Sequence, residues 1–516
     1  MKKQLFMAIV AAAALLAGCS DTKEGDGGDG GDDNTEGLVF EETVGGVTRY
    51  YIGDGDQNFP APVKNYTLDA SKTYYLRGWV YIQDGSSITI PAGTVIRGDK
   101  GSMGSLIIER GGKIFAQGTP SKPVVFTSAQ PAGQRKPGDW GGLIICGRAL
   151  NNKTEQQIEG GPRTFHGGND NADNSGVLSY VRVEFAGYPF GTDMEINGIT
   201  FGSVGSGTKV DHLQVSYSND DSYEWFGGAV SCSYLVAYHG WDDDFDTDNG
   251  FSGNMQFLLG VRHPRLADTS LSNGFESDNN KEGSDEQPYT TARFSNVTLI
   301  GPMGQDPDFY NTSASTANPD AYINGGALFP NNGSKLGQFQ SGVQIRRNSR
   351  ISLYNSVITG YPVGMIVEND KGNSQGAATD GKFVIRNVHF AGVDTTATAF
   401  DNSVANVNPL QGILGSNVNK TWTRGTGFTD GYVRAAANAN RFYTALNGVQ
   451  FVQPNSLQAG FKPMPAAGSP LVDASYTVPA GFDTRGNGYA GAFRSADPAD
   501  DWTAGWCEWD PQNAEY

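Results

Sequence analysis

The residues best suited to chemistry form an acidic window between positions 211 and 261. The window holds nine acidic side chains and no lysine or arginine: Asp211, Asp220, Asp221, Glu224, Asp242, Asp243, Asp244, Asp246 and Asp248. Carboxylates crowded together without a basic partner raise one another's pKa, because each charge opposes ionisation of the next. A bound cation would remove that cost. The window therefore predicts a site for a metal ion or for acid–base chemistry.

A metal site is indicated most strongly by WDDDFDTDNG at 241–250. Carboxylate oxygens are hard ligands that suit Ca²⁺, which takes about six to eight oxygens. We therefore predict Ca²⁺ as a cofactor, held by Asp242, Asp244, Asp246 and Asp248. The segment is not an EF-hand loop, because counting from Asp244 places Met255, and not a glutamate, at the twelfth position. A solvated acidic turn and metal-free catalytic carboxylates remain alternatives.

Catalysis of glycoside hydrolysis would need two carboxylates separated by roughly 5–5.5 Å or 6.5–9.5 Å. The catalytic candidates are Asp220, Asp221, Glu224 and Asp243. The side chains that could bind a ligand beside them are Trp225, His239, Trp241, Glu276 and Asp278. Core packing explains the tryptophans equally well. An elimination reaction would need a basic residue from outside the window, and the candidates are Lys209, Arg262, Arg265, Arg346, Arg347 and Arg350.

Short strands must position these side chains. Ile90, Ile108, Phe126 and Ile144 stand 18 residues apart, and Gly93 and Gly111 repeat at the same offset. Alternating apolar residues separated by glycine turns indicate strand–turn–strand units. A short fixed period of such units is typical of stacked coils, in which each coil covers the apolar edge of its neighbour.

Similar strands return further along the chain at longer intervals. They are VRVEFAG at 181–187, LQVSYSN at 213–219, LVAYHG at 235–240, NVTLIGP at 296–302, NSVITGYP at 355–362 and NVHFAG at 387–392. Segments 303–340 and 370–382, rich in Gly, Asn, Ser and Asp, resemble insertions between strands. We predict an all-β, right-handed parallel β-helix, a solenoid with long inserted loops. A propeller or sandwich would show tight hairpin signals, which the sequence lacks.

The composition supports a folded β protein. The chain has 516 residues, of which 70 are glycine, and 38% of its residues are hydrophobic, which excludes wholesale disorder. The formal net charge is −18, and no basic stripe is present, so a nucleic-acid partner is not expected.

The first residues predict export and a lipid anchor. Lys2 and Lys3 precede an apolar stretch too short to span a bilayer, which is typical of a signal peptide at 1–18. The sequence LAGC resembles a bacterial lipoprotein signal, in which Cys19 would be acylated. We predict a lipidated, flexible acidic tether at 19–42 and a single β-helix domain at 43–516 whose aromatic segment 502–509 forms a C-terminal cap or packs along the helix.

Several motifs resemble a family of secreted or lipid-anchored β-helix proteins of Bacteroidetes, within the pectin-lyase-like superfamily. They are ITIPAGTVIRG at 88–98, IFAQGTPSKPVVFT at 114–127, GDWGGLIICGRA at 138–149, EWFGG at 224–228, GFESDN at 274–279 and the ending YAGAF…DWTAGWCEWDP at 489–511. The resemblance implies the fold from about residue 70 onward and assigns no activity. The acidic tether also resembles a signal that directs such lipoproteins to the outer surface of the outer membrane.

Three functions follow as expectations. The first is an outer-membrane lipoprotein facing the cell exterior, whose Ca²⁺-binding acidic groove binds an extracellular glycan or other nutrient and assists an uptake complex. The second is a polysaccharide-degrading enzyme, either a carboxylate hydrolase or a Ca²⁺-dependent lyase. The third is a structural or adhesive rod that presents its loops to a protein partner. The sequence leaves open whether the protein is an enzyme.

Overall fold

The computed structural model describes residues 34–516 except 154, 192–193, 307, 315–318, 393–412, 419–420 and 425–426. Asn34–Tyr516 forms one compact unit. The predicted signal peptide and Cys19 lie outside the described residues. The tether prediction extends too far, because Leu38 is buried in the core and the first strand begins at Val39. The folded domain therefore begins before residue 43.

Two long sheets build the described domain, and their strands pair in parallel along almost their whole length. The 16-stranded sheet contains β1 (Val39–Val44), β2 (Val47–Ile52), β4 (Asn65–Thr67), β5 (Thr73–Leu76), β7 (Ser87–Pro91), β8 (Val95–Gly98), β10 (Lys113–Gln117), β11 (Val124–Ser128), β15 (Gly176–Glu184), β19 (Lys209–Ser216), β21 (Cys232–Tyr238), β23 (Asn254–Val261), β25 (Arg293–Ile300), β27 (Ser352–Thr359), β29 (Ile385–Ala391) and β32 (Arg441–Tyr443). The 12-stranded sheet contains β3 (Phe59–Pro60), β6 (Trp79–Ile82), β9 (Ser105–Ile108), β12 (Gly142–Cys146), β18 (Ile199–Gly202), β20 (Tyr223–Phe226), β22 (Phe245–Asp248), β24 (Phe275–Ser277), β26 (Val343–Ile345), β28 (Val363–Asn369), β30 (Ile413–Val418) and β31 (Thr421–Arg424).

The remaining elements are small. Three two-stranded sheets pair β13 (Gln156–Gln157) with β14 (Phe165–His166), β16 (Pro189–Gly191) with β17 (Met194–Glu195), and β33 (Phe451–Gln453) with β34 (Lys462–Pro465). The α-helices are α1 (Ser374–Thr379) and α2 (Phe428–Arg434), and 3₁₀ turns occur at Pro302–Gly304, Gly326–Leu328, Ala436–Asn438, Thr484–Gly486 and Pro498–Asp500. Among the described residues, no helix has the length and apolar character needed to cross a bilayer.

In-register apolar rows form the core. In the 12-stranded sheet one buried row consists of Leu106, Leu143, Ile199, Tyr223, Phe245, Phe275 and Val343. Alternate residues of a strand point to opposite faces, so these strands present their polar positions outward. Each coil thus covers the apolar row of the previous one, and the architecture confirms the predicted parallel β-helix.

The 18-residue spacing does not measure one coil. Ile90 and Phe126 lie in the larger sheet, whereas Ile108 and Ile144 lie in the smaller one. Paired residues are 26 apart at Ile88 and Ile114, and 59 apart at Phe294 and Leu353. Insertions between strands therefore set the length of each coil, and the apparent period reflects alternation between two sheets.

The later recurring strands were predicted well. The six apolar segments between 181 and 392 fall in or overlap β15, β19, β21, β25, β27 and β29, which follow one another in the larger sheet. Only β23 was missed within this series, because its Gln256-Phe257-Leu258-Leu259 run does not alternate. Segments 303–340 and 370–382 do lie between sheet strands, and the second contains α1.

The C-terminal aromatic segment lies along the side of the coils and does not cover an end. The ring of Trp506 packs edge-on against Tyr180, and the ring of Trp509 packs against Tyr238. The last residue, Tyr516, donates its hydroxyl to Glu184. Segment 502–509 therefore packs along the outer face of the larger sheet, which is the second of the two predicted arrangements, and we call this segment the strap.

Candidate functional site

A column of carboxylates runs along the outer face of the 12-stranded sheet. Glu224 pairs in register with Asp246, and Asp246 pairs with Glu276, on three successive strands. Neighbouring strands in a sheet are about 4.8 Å apart, so these acids follow one another at that spacing. The alternate residues Tyr223 and Phe245 point inward and are fully buried. Strand periodicity therefore places the column on the outside.

A second set of acids comes from the turns that precede these strands. Asp220 and Asp221 precede β20, and Asp242 and Asp243 precede β22. The backbone N–H of Asp243 donates to Oδ1 of Asp221 across 2.8 Å, and the N–H of Asn273 donates to Oδ1 of Asp243. Each turn is thus tied to the turn of the next coil.

Together these side chains line a cavity of about 700 Å³, which we call the carboxylate groove. Its lining consists of Glu159, Glu195, Asp220, Asp221, Glu224, Asp242, Asp243, Asp246, Ser270, Glu276, Lys281, Glu282, Arg346, Arg347 and Lys371. All four catalytic candidates named from the sequence lie here, as do Asp242, Asp246 and Glu276 from the other predicted sets. The structure therefore brings most of the predicted acids into one place.

Three overlapping groups in the groove have oxygens close enough to share a cation. In each group one carboxylate oxygen per residue lies within 4.8 Å of the others. The groups are Asp220, Asp221 and Asp242; Asp221, Glu224 and Asp246; and Asp243, Asp246 and Glu276. Asp221 and Asp246 each belong to two groups.

The donor set fits a hard cation. Oδ1 of Asp242 and Oδ1 of Asp246 are buried and have no hydrogen-bond partner among the described residues. A buried carboxylate oxygen without a partner is costly, and a cation ligated by it would remove that cost. Since every donor in the three groups is a carboxylate oxygen, the set suits Ca²⁺ better than metals that prefer nitrogen or sulfur.

The pKa values of these acids reflect the same crowding. Burial, followed by repulsion from neighbouring carboxylates, raises the pKa of Asp221, Glu224 and Asp246 well above its usual range. Burial and the Asp268 carboxylate raise the pKa of Asp242 to about 7. Without a cation, the groove therefore holds protons near neutral pH.

One side of the groove is basic. Lys281, Arg346, Arg347 and Lys371 line it, and we call these four residues the basic wall. Arg346 forms an ion pair with Glu276 and donates Nε to Asp278 at 2.8 Å, while Arg347 bonds Asp278 at 2.6 Å. The sequence offered Arg346 and Arg347 among six candidate basic residues without choosing between them. The paired residues Phe275 and Val343 are 68 positions apart, and this separation conceals the proximity of Arg346 and Arg347 to the acids.

The other side continues into a second polar cavity of about 480 Å³, whose lining also includes Asp268. It shares Glu195, Asp220, Asp242 and Ser270 with the carboxylate groove, and it adds Asn219, Asn332, Ser334 and Lys335. The two cavities together form a longer trough with carboxylates between a basic side and an amide- and hydroxyl-rich side. Such a trough can hold an extended polar ligand.

Asp244 was predicted as a metal ligand, and the structure contradicts this. Its carboxylate is fully buried, pairs with Arg262 Nη1 at 2.9 Å and accepts from the Tyr361 hydroxyl at 3.2 Å. The alternation of strand side chains holds only from Phe245, where β22 begins. Residue 244 lies before the strand, so its side chain points inward.

Asp248 and Asp278 also lie outside the three groups. Asp248 projects outward two residues beyond Asp246 on β22, and its Oδ1 accepts the backbone N–H of Asn249 at 2.5 Å. Asp278 is occupied by Arg346 and Arg347. The three groups therefore include neither residue, and each carboxylate already accepts hydrogen bonds from its neighbours.

The two tryptophans predicted to bind a ligand belong to the interior. Trp225 is fully buried and stacks on Phe201 at 5.5 Å and Phe251 at 5.6 Å between ring centroids. Trp241 is fully buried and packs near Phe329. The prediction that these rings bind a ligand is wrong, since neither has an exposed face.

His239 lies away from the groove and is also buried. Its Nδ1 bonds the Tyr217 hydroxyl at 3.0 Å, and its Nε2 bonds Ser456 Oγ at 2.8 Å. Burial lowers the pKa of His239 well below its usual value, so the ring is neutral. The prediction of a ligand contact is therefore wrong, and the imidazole serves packing.

The sequence missed six residues of the groove lining, which are Glu159, Glu195, Ser270, Lys281, Glu282 and Lys371. Glu159 and Glu195 line the groove from segments with no strand pattern of their own, and Asn197 donates Nδ2 to Glu224. Asn197 is almost completely buried, and its Oδ1 has no partner among the described residues. Because Glu159, Glu195 and Asn197 lie 14 or more positions before the acidic window, no local signal connects them to it.

Comparison with known proteins gives one strong match. Residues 61–429 match the model of a family described as a pectate-lyase-like β-helix domain. No curated protein matches the sequence. Among solved structures, the crystal structure of Dettilon tailspike protein (gp208) aligns at 9% identity with a TM-score of 0.22, over 67% of this chain. The alignment spans 62% of the tailspike chain, and a likeness at this TM-score carries no argument.

Proposed function

This chain belongs to the family of pectate-lyase-like β-helix domains, and on that premise we propose that it is a Ca²⁺-dependent glycan-binding protein of the bacterial outer surface. The carboxylate groove would hold the cation, and the longer trough would hold the glycan. The protein would act as an accessory to an uptake complex.

The observation that carries the proposal is the arrangement of Asp221, Glu224 and Asp246. Their oxygens lie within 4.8 Å of one another, and Oδ1 of Asp246 is buried without a hydrogen-bond partner among the described residues. Three carboxylates this close together are stable only if some of them are protonated or if they share a bound cation. Ca²⁺ suits the all-oxygen donor set, and when bound it would give an otherwise acidic groove affinity for sugar hydroxyl or carboxylate oxygens.

The shape of the trough supports an extended saccharide. The carboxylates lie between Lys281 and Lys371 on one side and Asn219 and Ser334 on the other. Hydroxyls and amides hydrogen-bond to sugar hydroxyls, and the basic side chains would accept an acidic substituent. The in-register stacking of the coils repeats the carboxylates of Glu224, Asp246 and Glu276 along the axis.

The cellular placement rests on the sequence outside the described residues. Positive charges, a short apolar stretch and Cys19 in LAGC favour a lipid anchor, and the acidic residues that follow favour display on the outer surface. A glycan-binding protein in that position would supply an importer with its ligand.

A glycan array probed in Ca²⁺ and again in excess chelator tests the proposal. We expect binding that is present in Ca²⁺ and lost in chelator. Glycan binding that is equally strong in both conditions would contradict the role of the cation. No binding in either condition would contradict the proposal that the ligand is a glycan.

The basic wall favours a second candidate, a Ca²⁺-dependent polysaccharide lyase. Elimination needs a basic side chain beside the cation to remove a proton, and the groove supplies lysines and arginines. The carboxylates Asp278 and Glu276 raise the pKa of Arg346 despite its burial, so Arg346 is poorly suited to accept a proton. Lys371, which donates Nζ to the carbonyl of Lys281 at 3.1 Å, is the better candidate. Release of an unsaturated product from a uronate polymer, lost in Lys371→Met, would favour this alternative.

A further inference from the structure

A ladder of rings stands on the outer face of the larger sheet, away from the carboxylate groove. Tyr180, His212, Tyr234 and Phe257 occupy equivalent positions on β15, β19, β21 and β23, and we call them the ring ladder. The ring centroids are 4.2 Å, 4.4 Å and 4.8 Å apart along the series. All four residues have left-handed φ angles between 51° and 61°.

On the next strands of the larger sheet, asparagine takes the position that the rings of the ladder occupy. Asn296, Asn355 and Asn387 occupy it on β25, β27 and β29, also with left-handed φ. Asparagine adopts this conformation more readily than aromatic residues. Asn296 and Asn355 donate their side-chain amides to backbone carbonyls of Gly486 and Thr477, at 3.0 Å and 3.1 Å. At Asn296 and Asn355 the backbone that precedes the strap, at Gly486 and Thr477, is therefore bound directly to the sheet.

Over the ring ladder the strap contacts the sheet through Trp502 and Trp506, and a cavity lies beside these contacts. Trp502 meets Tyr234 edge-on at 5.3 Å, and Trp506 meets Tyr180 edge-on at 5.8 Å. The space between strap and ladder is about 860 Å³, within the usual range of ligand sites, and we call it the flank cavity. The aromatic residues thus adopt a costly backbone conformation where they line a cavity.

The floor of the flank cavity presents a fixed row of polar atoms. Asp211 Oδ1 lies 2.7 Å from His212 Nδ1 and also accepts from Ser179 Oγ at 2.7 Å. Because an ionised carboxylate only accepts hydrogen bonds, this contact assigns a proton to Nδ1. Within the described ranges, neither His212 Nε2 nor the hydroxyl of Tyr180 or Tyr234 makes a hydrogen bond. Burial raises the pKa of Asp211, but the hydrogen bonds from His212 and Ser179 outweigh it, so the carboxylate stays ionised.

The charged groups around the cavity have both signs. Asp211, Asp500 and Asp501 line it together with Arg485 and Arg494. Arg485 is already paired with Asp483 at 2.5 Å, and Asp500 accepts from Ser495 at 2.5 Å. This mixture does not favour an ion of either sign. It suits a neutral ligand with many hydroxyls, which can donate to the carboxylates and accept from the guanidinium groups.

We infer that the flank cavity is a second binding site, specific for a neutral oligosaccharide and independent of the cation in the carboxylate groove. The hydroxyls of Tyr180 and Tyr234 and the Nε2 of His212 bind the sugar hydroxyls, while the half-buried ring of Trp502 covers its apolar side. The two sites lie on different sheets of the same coils, so one polysaccharide chain or two different glycans can be held at once.

The test is a titration of the chain with neutral gluco-, xylo-, manno- and galacto-oligosaccharides in excess chelator, read by calorimetry. We expect at least one neutral oligosaccharide to bind, and the double variant Tyr180→Phe/Tyr234→Phe to weaken it by about tenfold or more, because two hydrogen bonds are lost while both rings remain. The matched control is Asp246→Asn in the carboxylate groove, which leaves this binding unchanged.

A second readout does not depend on a variant. With ¹⁵N-labelled histidine, binding at the flank cavity shifts the His212 imidazole signal and leaves that of the distant, buried His389 in place. Absence of binding by all four oligosaccharide classes overturns the inference. So does binding that leaves the His212 signal unchanged, that survives removal of both tyrosine hydroxyls, or that is lost in Asp246→Asn.

Discussion

The backbone N–H of Asp243 donates to Oδ1 of Asp221 across 2.8 Å, and this bond joins the turns of two successive coils. It fixes Asp221 at the point where two of the three carboxylate groups meet. The groove therefore depends on the register of the coils, because the acids come from one turn and one strand of each. A shift of one residue in that register would turn the column of Glu224, Asp246 and Glu276 toward the core.

The first prediction concerns pH. Burial raises the pKa of Asp242 and of Glu276 to about 7, whereas such groups titrate at roughly 4 in an unfolded chain. Between these values the folded protein binds more protons than the unfolded one, so its stability falls as the pH rises. In chelator we expect a higher melting temperature near pH 5 than near pH 8.

Added Ca²⁺ should remove most of that difference, since it stabilises the ionised carboxylates. Differential scanning calorimetry at both pH values, with and without Ca²⁺, measures the effect. A melting temperature that is constant or rises with pH in chelator would show that the acids are ionised without a cation.

The second prediction separates Asp244 from the groove. Asp244→Asn leaves the buried Arg262 guanidinium without its counter-charge, and losing one partner of a buried ion pair costs about 3–5 kcal/mol. We expect the free energy of unfolding, measured in urea, to fall by that order while Ca²⁺ affinity is retained. Loss of Ca²⁺ binding in a variant that remains folded would show that Asp244 is a ligand of the cation.

The third prediction concerns Trp225. Truncation to alanine should cost about 3–5 kcal/mol of stability, because the ring is fully buried among other rings. Trp225→Phe keeps most of the packing, and we expect its glycan affinity to equal that of the native chain. An affinity reduced by Trp225→Phe without a change in melting temperature would mean that the indole contacts the ligand.

The fold could be predicted from the sequence because its signals are local. Alternating apolar residues in segments such as VRVEFAG define strands, and their recurrence without hairpin signals defines stacked coils. The length of a coil could not be predicted, because insertions separate paired strands by variable distances. The 18-residue period was therefore misread, although the architecture was predicted correctly.

The candidate site shows the same limit. Asp220, Asp221, Asp243 and Asp246 were found because they lie in one acidic window, while Glu195 and Arg346 reach the groove from distant insertions. The sequence also could not show which acids of the window are buried, since it does not reveal that β22 begins after Asp244. The ring ladder could not be predicted either. His212 stacks between Tyr180 and Tyr234, which lie on neighbouring coils and are far from it in the sequence.

The central claim is that the carboxylate groove binds Ca²⁺, and titration calorimetry of the chain from residue 34 onward tests it most directly. We expect Ca²⁺ to bind the native chain and to bind Asp246→Asn about tenfold more weakly, the equivalent of losing one charge-assisted contact. The matched control, Asp248→Asn, removes an outward carboxylate of the same strand that belongs to none of the three groups, and it should keep the native affinity. A native chain that gives no heat with Ca²⁺, or equal affinity in Asp246→Asn and the native chain, would contradict the account.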